Sequence, residues 1–154
     1  MKQTDSDELK ITQLTAFAPY LMNRIVHRYN QTAQAAMSER GLTTPKMRVL
    51  AALASQGDLT VNELTIFAVA EQSTMSRTLD QMEKADLVTR RTSDRDSRVR
   101  QVSITTKGLS VYQSIWPDML DAESAMLEGL DDKTRAAFVK TLNQILRNIR
   151  VNDF

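Results

Sequence analysis

The sequence predicts a mainly helical fold carrying one small β-hairpin. Three observations support this. Gly and Pro are scarce, 4 and 3 in 154 residues, so long helices meet few breakers. Apolar residues recur at helical spacing through most of the chain. One short region, residues 87–105, alternates with period two instead, around an arginine-rich turn.

Taken in order, residues 9–38 place Leu14, Phe17, Leu21, Met22, Ile25, Val26 and Tyr29 on one helical stripe that stops at Gly41. Pro19 either kinks this helix or marks a short one before it. A second helix starts at Thr44-Pro45, a cap followed by proline, and ends near Gln56-Gly57. Asp58–Thr60 reads as a very short strand. Thr60-Val61-Asn62-Glu63 then fits a capping box for a third helix ending by Val69. A fourth helix covers about 72–85, with Met75, Leu79 and Met82 inward. Strands follow at 87–92 and 99–105, with the turn at 93–98. A long helix covers 106–128, interrupted at Pro117, where a kink with a packed Trp116 indole is expected. The last helix, 132–150, is capped by Asp131-Asp132.

Composition narrows the function classes. Net charge is only +1, but its distribution is uneven. Residues 90–107 hold Arg90, Arg91, Arg95, Arg98, Arg100 and Lys107 against two acids, and a positive stripe suits phosphate. No cysteine exists, which excludes disulfides, thiolate metal sites and thiol redox switches. The polar start has no hydrophobic signal core and no apolar run approaches ~20 residues, so a cytoplasmic location is expected. With one histidine, His27, no Ser/His/Asp set can be argued, and no Gly-rich phosphate loop is present. Neither catalysis, a metal nor a cofactor is expected.

The order α-α-(β)-α-α-β-β-α-α is that of a winged helix-turn-helix flanked by further helices. Such a fold sets a recognition helix beside a positive two-stranded arm. At this point Leu-Thr-Val-Asn-Glu-Leu (59–64), Ser-Thr-Met-Ser-Arg-Thr-Leu-Asp-Gln-Met-Glu (73–83), Leu-Val-Thr-Arg (87–90), Asp-Ser-Arg (96–98) and Val-Ser-Ile-Thr-Thr-Lys-Gly (102–108) resemble the MarR family of winged-helix transcription regulators. The flanking helices fit too, so the resemblance covers nearly the whole chain. Two departures stand out. Asp86 occupies a position where members often carry Gly, and with no cysteine the peroxide-sensing members are not the model.

The residues and the resemblance together divide the chain into 1–40 (dimerisation), 41–107 (winged helix-turn-helix) and 108–154 (dimerisation). Ser73, Thr74, Ser76 and Arg77 are expected to meet DNA, because small hydroxyls suit phosphates and thymine methyls while Arg can grip guanine. Arg95 and Arg98 form the wing tip. The resemblance implies that Arg98 enters the minor groove and that Asp96 orients it. Arg90, Arg91 and Arg100 are expected to support the wing by reaching phosphates or pairing with local acids. Leu14, Phe17, Phe138, Leu142, Ile145, Leu146 and Ile149 are expected to dimerise, since stripes at both chain ends need cover. The family plan also implies a small aromatic or anionic effector, for which Arg24, His27, Arg28, Lys46 and Arg48 are the candidate cations. A pseudo-palindromic operator in double-stranded DNA, read by a homodimeric repressor, is the function expected. The alternative is a winged-helix protein-interaction or scaffold module that does not read DNA sequence.

Overall fold

Each element forms where caps and breakers permit. The computed structural model describes residues 13–153. Helix α1 spans Ala18–Glu39, with Pro19 in its first turn, where a missing N–H costs nothing. Residues 13–15 form a separate helical turn before it, so Pro19 marks a new helix and does not kink one. The remainder of the expected 9–38 helix, residues 9–12, lies outside the described residues.

Helix α2 spans Thr44–Gln56; Thr43, not Thr44, takes the N-cap position, and its side chain makes no cap bond. The helix ends at Gly57, whose φ of +83° and ψ of −154° suit a residue without Cβ. Strand β1 is Leu59–Thr60 and helix α3 is Val61–Phe67. The capping box is complete: the Glu63 N–H donates to Thr60 Oγ1 at 3.2 Å, and the Thr60 N–H donates to Glu63 Oε2 at 2.7 Å. Helix α4 spans Gln72–Lys84, strand β2 Val88–Thr92 and strand β3 Arg100–Ile104. Helices α5, Thr106–Met126, and α6, Asp132–Ile149, complete the chain, and Asp131 caps α6 through the Thr134 N–H at 2.8 Å.

The three strands form one antiparallel sheet in the order β1-β3-β2. Leu59 and Arg90 both lie opposite Val102, and Val88 lies opposite Ile104. Leu50, Leu53, Leu64, Met75, Leu79, Met82, Val88 and Val102 are fully buried and make one core under α4 and the sheet. Helix α5 enters that core through Ile115. Its start presses on the sheet so closely that a Cβ on Gly108 would lie 2.1 Å from the Leu87 carbonyl oxygen.

Arg40 fastens the end of α1 to α5. Its guanidinium donates to Asp118 Oδ2 at 2.8 Å, to the Ser114 carbonyl at 3.0 Å and to the Ala36 carbonyl at 2.8 Å. The expected interruption of α5 does not occur. The helix runs unbroken through Pro117, because proline removes one donor while the bonds on either side persist. The Trp116 indole packs only in part: its ring lies 5.6 Å from that of Tyr112, while the side chain stays 44% exposed. Its side of α5 faces α6, and α6 buries none of its own residues. Among the described residues, no helix is long and apolar enough to cross a membrane.

Candidate nucleic-acid interface

Helix α4 buries Met75, Thr78, Leu79 and Met82 and turns its other side to solvent. Ser73, Thr74, Ser76 and Arg77 are all exposed, and none of these side chains has a partner among the described residues. The N-cap, Glu71, makes no side-chain cap bond, so the first N–H groups of α4 remain open to an oxygen ligand. The turn into this helix is strained. Val69 has φ of +52°, unfavourable for a β-branched residue, and is 74% exposed. It is held there by Val69 N–H to the Ile66 carbonyl at 3.2 Å and Ala70 N–H to the Thr65 carbonyl at 3.0 Å.

The wing tip is organised by its own backbone. The Ser93 N–H donates to the Val99 carbonyl at 2.8 Å and the Val99 N–H to the Asp96 carbonyl at 3.0 Å. Asp96 Oδ1 accepts the Arg98 N–H at 2.9 Å, so it orders Arg98 through the main chain and not through the guanidinium. Arg95 and Arg98 are exposed on this turn, and Arg100 is exposed at the start of β3. No acid among the described residues lies within salt-bridge distance of these three guanidinium groups or of Arg77.

Arg90 and Arg91 differ from them. The Arg90 guanidinium reaches Asp80 Oδ1 at 2.7 Å and Glu83 Oε2 at 2.6 Å, both on α4. The Arg90 backbone N–H donates to Glu83 Oε1 at 3.2 Å. These bonds hold the Glu83 carboxyl below its usual range and raise the Arg90 guanidinium further. Arg90 therefore ties the wing to α4 and is committed to local acids. Arg91, on β2, pairs at 2.7 Å with Asp58, just before β1, and so spans the middle strand β3. The positive stripe expected over 90–107 thus narrows to Arg95, Arg98 and Arg100, with Arg77 beside it on α4.

The left-handed end of α4 falls on Asp86, φ +58°. Two later side chains secure it: Thr105 Oγ1 donates to the Asp86 carbonyl at 2.6 Å and Lys107 Nζ to the Ala85 carbonyl at 2.8 Å. Sequence reasoning missed both, and also missed the Arg40 fastening. The spacing of Asp80 and Glu83 on one α4 face was the available signal for Arg90.

The five cations named for an effector are not brought together. A crevice of about 290 Å³ opens between α1, α2 and α5, and of the five only Arg48 lines it, with Tyr29, Asn30, Met47 and Met119. Arg24 instead lies 5.8 Å over the Tyr20 ring, and Arg28 donates to Gln31 at 3.2 Å. His27 is exposed and Lys46 half-buried outside the crevice lining. Of the side chains named for dimerisation, Leu14, Phe17, Phe138, Leu146 and Ile149 are exposed, while Leu142 and Ile145 are half-buried. Among the described residues, no group of three or more His, Cys, Asp or Glu could hold a metal ion.

This geometry has close counterparts. The MarR family model matches residues 42–99, from the start of α2's approach to the wing tip. A crystal structure of a MarR family transcriptional regulator from Silicibacter pomeroyi is 44% identical and superimposes with a TM-score of 0.84, over 92% of this chain and 95% of that one. A second MarR family regulator from the same organism is 33% identical with a TM-score of 0.82, over 90% and 93%. The HTH-type transcriptional repressor IacR of Pseudomonas putida is 29% identical over 84% of this chain and 75% of its own length. An α4 with an unpartnered polar front beside an arginine-tipped hairpin, on a scaffold shared with these proteins over nearly its whole length, places the chain in the MarR family of transcriptional regulators.

Proposed function

We propose that this chain works as a homodimer that binds a pseudo-palindromic site in duplex DNA, represses from it, and is released by a small aromatic or anionic effector. The observation that carries the reading is the pairing of two surfaces that have no side-chain partner among the described residues. Ser73, Thr74, Ser76 and Arg77 on α4 suit base edges and phosphates, while Arg95 and Arg98 at the wing suit the concentrated negative potential of a narrow minor groove. Repression is supported by the likeness to IacR. Binding is the whole activity, with no reaction catalysed, and it takes place in the cytoplasm.

In this reading residues 41–107 are the DNA-binding unit, and residues 1–40 and 108–154 pair the two copies. Helix α6 supports the pairing, for it leaves Val139, Leu146 and Ile149 47%, 58% and 71% exposed. The effector's acid group belongs at Arg48, with its ring against Met47 and Met119.

Titration of duplex DNA at several salt concentrations tests this function. Affinity should fall linearly on logarithmic axes as phosphate counterions are released. Arg77→Ala should cost about 1–3 kcal/mol on the preferred sequence, and Arg98→Ala should weaken binding most on A·T-rich flanks. Unchanged affinity in both variants, with the fold intact, contradicts the assigned surface. Salicylate-type acids should lower DNA affinity in the wild type and not in Arg48→Ala. A tenfold release corresponds to about 1.4 kcal/mol of differential binding.

A further inference from the structure

The Arg48 crevice and the exposed front of α4 lie on different elements, and one chain of contacts joins them. The crevice takes Tyr29, Asn30, Ala33 and Met37 from α1 and Met119 from α5. Arg40 sits at its foot, where α1 ends. Its guanidinium fork spans the gap to α5: Nε donates to Ser114 Oγ at 3.2 Å, and one terminal nitrogen serves both the Ser114 carbonyl at 3.0 Å and Asp118 Oδ2 at 2.8 Å. The other terminal nitrogen, on the Ala36 carbonyl, braces the fork against α1 itself. Water screens the Asp118 pair, but a planar fork held at every nitrogen fixes α1 to α5 in one register. The grip falls beside Ile115, buried in the core, and Met119, the crevice residue that follows Asp118. At its other end α5 is joined to α4. Its first turn leaves no room for a Cβ on Gly108 against Leu87, and Thr105 and Lys107 hold the Asp86 and Ala85 carbonyls that close α4.

A ring wedged into the crevice pushes α1 away from α2. Were α1 free to slide on α5, the push would be absorbed where it arises. Clamped by Arg40, α1 and α5 move as one body, and the movement reaches the end of α4 through Thr105 and Lys107. We propose that Arg40 is the positioning residue that converts effector binding into DNA release. It lines neither the crevice nor the front of α4; it makes one lever of two helices. The proposal rests on the regulatory reading above and names the device that serves it. A shorter route runs through α2, which lines the crevice with Thr44, Met47 and Arg48 and packs on α4 directly. On that route Arg40 is dispensable, and the two routes are separable by measurement.

The test measures coupling on the full chain, with salicylate as probe and a duplex that the wild type selects from random sequence. Salicylate affinity is read by calorimetry with and without DNA, and DNA affinity by fluorescence anisotropy with and without saturating salicylate. The two ratios must agree, because linkage between binding sites is reciprocal. The wild type should show about tenfold coupling and Arg40→Ala less than about twofold, with the affinity for each ligand alone and the salt dependence of DNA binding unchanged. Asp118→Ala removes only the ion pair, at an exposed helical position, and should leave about threefold. It decides the matter also where Arg40→Ala fails to fold. The double variant should couple no more weakly than Arg40→Ala alone, since both residues belong to one clamp. Full coupling in Arg40→Ala or in Asp118→Ala overturns the proposal in favour of the α2 route. So does an Arg40→Ala that loses affinity for DNA alone or for salicylate alone, which makes Arg40 part of a site and not the link between two. A wild type whose DNA affinity is indifferent to salicylate contradicts the regulatory reading itself and takes the clamp with it.

Discussion

Replacing Arg90 with alanine cuts the tie between the wing and α4, and the structure sets the size of the effect. The Arg90 side chain is 23% exposed, against 53% for Asp80 and 40% for Glu83, so water screens both pairs. Exposed pairs contribute about 0.2–1 kcal/mol each. The Glu83 pair belongs near the upper end, because Nε at 3.0 Å and a terminal nitrogen at 2.6 Å reach the same oxygen. The sum is about 1 kcal/mol, a fall of about 2–4 °C in Tm for a chain of this length. The pH dependence has a definite sign. Arg90 lowers the Glu83 carboxyl from its ordinary value of 4.5. Its contribution is complete above that value and is lost as pH falls through the lower folded-state value. Thermal melts of wild type and Arg90→Ala should therefore differ equally at pH 7 and pH 5.5, and the gap should begin to shrink only below about pH 4.5. A difference that persists unchanged at pH 3, or none at pH 7, refutes the reasoning.

Other perturbations give equally definite outcomes. Gly108→Ala drives a Cβ into the Leu87 carbonyl and should destabilise by about 1–3 kcal/mol, read from urea unfolding. Val69→Gly relieves a left-handed β-branched residue and should raise stability by about 1 kcal/mol, despite glycine's greater freedom when unfolded. A drop in stability there would mean that the exposed Val69 side chain makes contacts in the assembled protein. Leu146→Glu with Ile149→Glu should convert the proposed dimer to monomer by sedimentation, and a wild type that is already monomeric at micromolar concentration removes the motive for the pairing.

Local signals made much of this fold legible. Thr60 and Glu63 declare a capping box because both partners lie within one turn, and Met75, Leu79 and Met82 declare the buried side of α4 because helical periodicity alone places them together. Asp86 stood out because the family often carries Gly there, and the structure puts it in the left-handed region that Gly favours. What needed coordinates depends on how separate elements dock. Arg91 meets Asp58 across 33 residues, and Arg40 meets Asp118 across 78. The cations of α1 show the same limit. Val26, Tyr29, Asn30 and Ala33 turn toward the crevice, which rotates Arg24, His27 and Arg28 away from it. Only the packing partner of α1 decides that rotation, and the sequence of α1 is apolar over too wide an arc to reveal it. Wing-tip arginines were visible as charges, but which of them are neutralised was settled by acids on neighbouring elements.

Selection of binding sites from random duplex DNA tests the central claim most directly. The account predicts an enriched pseudo-palindrome whose half-sites lie about one helical turn, roughly 10 bp, apart, because a two-fold pair of α4 helices meets one face of the duplex. Arg77→Ala should relax the motif at a single symmetric position in each half. A selection that yields no enriched sequence, or a single asymmetric motif indifferent to Arg77 and Arg98, contradicts it.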